Sequence, residues 1–194
     1  MKKRENGAIS TNNLVMYALL SAIVVVLQYM GSFIKMGPFS ITLVLVPIVV
    51  GAAICGKGAG AWLGFVFSVV VLCTDSAPFL AVSVPGTVVT VLLKGTLAGF
   101  FAGLVFDLLK KRNIYIAVIV SALFCPVVNT GIFLIGCRLF FMGIITQWAT
   151  ELGFPSAGNY IIYGLVGLNF LAEVAVNMVL SPIIIRLVNI RKKI

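Results

Sequence analysis

Histidine is absent from this chain, acidic residues number five, and charged side chains make up only 10% of its 194 positions. Soluble domains carry about 25% charged residues, so so few exclude a soluble globular class. The four cysteines, Cys55, Cys73, Cys125 and Cys137, show no C-x-x-C spacing. Without histidine they suggest neither a zinc nor a haem site and read as small apolar helix residues, so neither metal nor cofactor is expected. There is no H-E-x-x-H motif and no Ser/His pair, and Asp75 and Asp107 lie far apart near the ends of apolar runs. Intramembrane proteolysis and lipid transfer lack their catalytic sets, and the expectation is that the chain is not an enzyme.

What is present is hydrocarbon: 61% of the residues are hydrophobic. A bilayer-spanning helix needs about 20 apolar residues, and the runs here allow six, at about residues 14–34, 40–55, 61–73, 85–109, 114–141 and 160–188. The fold class expected is all-α, an integral membrane six-helix bundle forming a single transmembrane domain over residues 1–194. The basic start and apolar run of residues 1–30 resemble a signal peptide, but no small-x-small cleavage site follows, so this run is read as the first retained span. Pro47 is expected to kink the second span and Pro126 to interrupt the fifth. Residues 142–159 are less apolar and read as a loop with a short interfacial helix.

The net charge of +9 would suggest nucleic acid in a soluble protein. Here the cations fall in short runs between apolar segments, as orientation signals do, and no nucleic-acid partner is expected. With the amino terminus inside, Lys2, Lys3, Arg4, Lys57, Lys110, Lys111, Arg112, Arg186, Arg191, Lys192 and Lys193 all fall on the cytoplasmic side. Lys35 and Arg138 fall outside. That bias places both termini in the cytoplasm of a multi-pass plasma-membrane protein.

The stretch Pro85 to Arg112 organises the rest. It carries Lys94 well inside an apolar span, where an ammonium facing lipid costs roughly 3 kcal/mol, so Lys94 should face protein or water. Gly95, Gly99 and Gly103 follow at four-residue steps, a smooth stripe against which another helix can close. Gly56, Gly60 and Gly64 form a second such ladder. On the last span Asn169, Glu173 and Asn177 recur at i, i+4, i+8, one face that must look inward. One reading pairs Lys94 with Glu173 to hold helices together. The other sends Lys94, Asn129, Asn169 and Glu173 into a cavity that binds a polar solute, and both can hold at once. Arg138 is a candidate for a ligand carboxylate, because guanidinium engages one bidentately, and equally a candidate interface anchor. An outer rim of Lys35, Asp75, Phe79, Arg138, Trp148, Tyr160 and Tyr163 suits either an interfacial belt or a lid.

These features resemble the substrate-capture subunit, or S component, of an energy-coupling factor (ECF) vitamin transporter. The resemblance rests on length, six spans with both ends inside, the Ala18-x-x-x-Ala22 step in the first span, and the run PFSITLVLVPIVVGAAICGKGAGAWLGFVFS from Pro38 to Ser68 with its Gly-rich turn. It implies that Ala18 and Ala22 dock on a transmembrane coupling subunit, that two ATPase subunits power uptake, and that the small subunit rotates in the bilayer to deliver its ligand. It also implies a vitamin-like solute captured from outside. Cations at Lys94 and Arg138 favour a carboxylate-bearing one, with pantothenate, riboflavin or a folate-like pterin as candidates. The rival reading is a self-sufficient oligomeric secondary carrier or channel coupled through Glu173.

Overall fold

A computed structural model describes residues 11–33, 35–36, 39–40 and 43–193. The basic arm with Lys2, Lys3 and Arg4 lies outside the described residues, as does the side chain of Lys35. A first helix, α1 (Thr11–Gly31), is followed by a two-residue antiparallel pair, β1 (Lys35–Met36) with β2 (Phe39–Ser40). Then come α2 (Leu45–Cys55), α3 (Lys57–Thr74), the single turn α4 (Ala77–Leu80) and α5 (Val84–Leu109). The chain continues as α6 (Ile114–Gly136), a π-helical turn Cys137–Phe141 and α7 (Met142–Glu151). The short α8 (Ala157–Asn159), a second π-helical stretch Tyr160–Val166 and α9 (Gly167–Lys193) complete it. Five helical runs among the described residues are long and apolar enough to cross a membrane, the π-helical stretches being counted into the last two.

The sixth apolar helix, α2, has only 11 residues, about 16 Å at 1.5 Å per residue. It begins at Leu45, and Pro47 stands in its first turn, where a missing N–H leaves no bond unmade, so the expected kink does not occur. Being apolar all round, α2 is a core helix. Leu45, Ile48 and Val49 are fully buried, and α2 contacts α1, α3, α5, α6 and α9. Gly56, at φ +91°, turns the chain directly from α2 into α3.

One further expectation needs correction. Pro126 does not interrupt the fifth span: α6 runs through it, because neighbouring helices bury that stretch and tolerate the one bond lost. Within residues 142–159, expected to be a loop with a short helix, the helix is α7, reached from α6 through the π-helical turn. Ile145 and Ala149, four apart, bury one face of α7 against an aromatic cluster that includes Phe79, Phe141 and Tyr160, which outweighs its modest apolarity. The starts of α5 and α6 are capped by side chains. Ser83 Oγ accepts from Gly86 N at the head of α5, and Asn113 Oδ1 accepts from Tyr115 N at the head of α6.

The closest packing joins α3 to α5 through the two glycine ladders. A Cβ on Gly64 would strike the Gly95 carbonyl, and one on Gly60 or Gly99 would strike the other's carbonyl oxygen. Backbone meets backbone here, which in a bilayer replaces hydrophobic burial as the source of helix adhesion. Gly64→Leu should therefore destabilise the protein on the order of 3 kcal/mol, as overpacking does. Gly58→Ala, which meets open space, should be neutral or stabilising. Thermal unfolding in detergent checks this pair, and equal midpoints would show that the seam does not set the fold.

Candidate functional site

The ends of α1 and α3 remote from the Gly56 turn, the first half of α5, the second half of α6 and the start of α9 surround a cavity partly open to solvent, with about 490 Å³ of empty space when that opening is included. Its wall includes Gln28 from α1, Asp75 just past α3, Lys94 from α5, Asn129 and Thr130 from α6, and Asn169 and Glu173 from α9. Each of these helices is otherwise apolar, so their polar residues meet because no other direction satisfies them.

Local sequence explains each placement. Lys94 follows the N-cap Ser83 by three turns and sits one residue before Gly95, the point where α5 touches α3. The seam thus holds Lys94 beside Phe67 of α3. Its ammonium lies 5.8 Å from the centre of the Phe67 ring and 5.4 Å from that of Phe133 on α6, within range of cation–π attraction. Glu173 and Asp75 are both close enough to attract it electrostatically.

On α9 the i, i+4, i+8 spacing does what it promises. Glu173 and Asn177 are each 1% exposed. Asn169 Nδ2 donates to Glu173 Oε1 at 3.2 Å, Asn177 Nδ2 donates to the Glu173 carbonyl at 2.9 Å, and Ser181 Oγ donates to the Asn177 carbonyl at 2.7 Å. Just before α9, the wide turns of Tyr160–Val166 bring Leu165 and Val166 onto the cavity wall, an example of π-helical geometry beside a site.

The structure therefore brings together Lys94, Asn129, Asn169 and Glu173. It does not bring Arg138 to them. Arg138 stands on the π-helical turn between Cys137 and Phe141, both of which are buried, and its own side chain is exposed. The inward direction of that turn is taken by the aromatic cluster. Ala18 and Ala22 are not part of the cavity wall; both are exposed on α1, next to Ser21, whose Oγ accepts from Trp62 Nε1 at 3.1 Å.

The sequence reading put Asp75 on the outer rim and joined neither it nor Gln28, a polar residue within the first span, to the cavity. Gln28 Nε2 donates to Asp75 Oδ2 at 2.9 Å, and Thr74 Oγ1 donates to the same oxygen at 2.9 Å. The signal was available, since a buried amide needs a partner. Phe67, Phe133 and Thr130 carried none, because aromatic and hydroxyl residues occur throughout these helices.

Beyond the cavity, Phe79 makes edge contacts with Phe133, Phe141 and Trp148 at 5.0 to 5.7 Å between ring centres. Phe133 thus belongs both to the cavity wall and to the aromatic layer above it.

Gln28→Leu, which strips Asp75 of one donor, should destabilise the protein by about 1 to 3 kcal/mol, read as a lower melting midpoint in detergent. An unchanged midpoint would mean that the Gln28–Asp75 bond holds nothing together.

No protein of curated function matches the chain. The sequence model of one family does, described as ECF transporter, substrate-specific component, and it matches residues 12–185. Since that is nearly the whole length, and five helices are fit to cross a bilayer, the chain belongs to the substrate-specific components of ECF transporters, multi-pass proteins of the cell membrane.

Proposed function

We propose that this protein captures a small polar, vitamin-like solute in the cavity bounded by Lys94, Asn129, Asn169 and Glu173 and passes it inward with the help of partner subunits. The observation that carries this reading is the convergence of polar side chains from separate, mostly apolar helices on one partly open space, the arrangement of few polar groups among apolar walls that small-molecule sites share. In this reading α1, α2, α3, α5, α6 and α9 make six crossings of one transmembrane domain, and both termini face the cytoplasm. The cations at Lys57, Lys110, Lys111, Arg112 and Arg186 support that orientation. The cavity then lies in the outer half, away from those cations.

A chain with so few ionisable groups in its spans has little means of coupling to an ion gradient. A transmembrane coupling subunit and two ATPase subunits supply the energy. Ala18 and Ala22, small and exposed on α1, suit a close helix–helix contact with the coupling subunit. The candidate solutes are pantothenate, riboflavin and a folate-like pterin. The argument for a carboxylate on the solute leaned on Lys94 and Arg138 acting together; with Arg138 outside the cavity wall, it rests on Lys94 alone.

Uptake into vesicles containing the chain with its coupling and ATPase subunits should require ATP. Uptake that persists without either, and that Glu173→Gln abolishes, would replace this reading with a self-sufficient carrier. Lys94→Ala should weaken solute binding by about tenfold or more, ~1.4 kcal/mol, in a variant that still folds. Ala22→Trp should abolish co-purification with the coupling subunit while leaving solute binding intact; loss of binding instead would show that the Ala18/Ala22 face of α1 supports the cavity rather than the partner.

A further inference from the structure

We infer that the captured solute is neutral or cationic and binds chiefly by donating hydrogen bonds, through N–H or O–H groups carried on an apolar, ring-like body. This rests on the capture reading above and adds to it the charge and hydrogen-bonding class of the ligand.

The charge balance of the cavity is the first ground. Among the described residues Lys94 is the one cation on its wall, and Asp75 alone already matches it; Glu173 adds a second carboxyl group. Arg138 is exposed and is not part of the wall. A carboxylate or phosphate entering this space would find no surplus positive charge. It would also have to compete with Asp75 and Glu173 for the same ammonium, and like charges at close quarters in a low-dielectric site are strongly disfavoured.

The amide groups supply the second ground, independent of charge. Gln28 Oε1, Asn129 Oδ1 and Asn169 Oδ1 are buried and have no hydrogen-bond partner among the described residues. All three side chains belong to the cavity wall. For two of them the amide orientation is set by chemistry. Gln28 donates to the Asp75 carboxylate and Asn169 to a Glu173 carboxyl oxygen, so each must turn its NH₂ that way and keep its carbonyl for something else. Buried acceptors left unpaired are costly, and a cluster of them on one wall is a demand for donors. An ionised carboxylate has only acceptors to offer and cannot meet it. A ring N–H, an amide, a hydroxyl or an ammonium can.

The remaining wall is apolar: Phe67, Val71, Phe133, Leu165 and Val166. Two aromatic rings among them favour a flat or amphipathic body over a compact sugar-like one. The cavity thus combines apolar sides with a ring of acceptors, the complement of a donor-bearing heterocycle.

The test uses the full-length chain purified from membranes and incubated with riboflavin, thiamine, pantothenate and folate together. Small molecules retained after washing are identified by mass spectrometry, alongside a Lys94→Ala/Asn169→Leu double variant. Retention by the wild type of riboflavin, thiamine or another neutral or cationic donor-bearing compound carried from the cells is the expected result. Asn169→Ala should then retain it about five- to tenfold more weakly, the loss of one buried hydrogen bond. Retention of pantothenate, folate or any other carboxylate or phosphate overturns the inference while leaving capture intact. Equal retention of every compound by wild type and double variant overturns the capture reading itself, and the inference falls with it.

Discussion

A polar group inside a hydrocarbon layer has to find its partner within the protein, and that requirement arranges this molecule. Lys94, Gln28, Asn129, Asn169 and Glu173 each interrupt an apolar helix, and all line one wall. Water is the alternative partner, so groups that cannot all satisfy one another gather around a space that admits it. The hydrogen bonds found, Asn169 to Glu173 and Gln28 to Asp75, use the donors and leave amide oxygens over. The site is thus what remains after the helices have met the demands of burial.

The glycine seam between α3 and α5 determines how well that space is defined. Because backbone packs on backbone at Gly60, Gly64, Gly95 and Gly99, the two helices have little freedom to slide. Lys94 adjoins Gly95, so the register that closes the seam also sets the ammonium against Phe67. The short α2, with 11 residues, packs among α1, α3, α5, α6 and α9. Close backbone packing towards the Gly56 turn and wider π-helical turns near the cavity give the two halves different characters. Packing dominates one half and chemistry the other.

Much of this was legible in the residues. Small residues at four-residue steps identified both glycine ladders, and the Asn169, Glu173, Asn177 spacing identified an inward face. Other features were not. Pro126 and Pro47 carry the same local signal for a break, yet one lies inside an intact helix and the other in a first turn, a distinction made by where the helix starts. The weak apolarity of residues 142–159 left the bounds of the expected short helix unreadable, because α7 is held by contacts with the Phe141 and Tyr160 cluster rather than by its own pattern. Arg138 and Lys94 look alike as isolated cations, and only the direction of a π-helical turn separates them.

Composition alone determined that the chain lives in a bilayer, because no soluble fold tolerates so much hydrocarbon and so little charge. Periodicity alone determined which face of α9 turns inward, because side-chain direction in a helix follows from 3.6 residues per turn. Which faces of different helices meet was decided by tertiary structure, since it depends on long-range register that no local window contains. That is why Asp75 and Gln28, 47 positions apart, join the cavity while Arg138 does not, and why the balance of charge there differs from the one the residue list suggests.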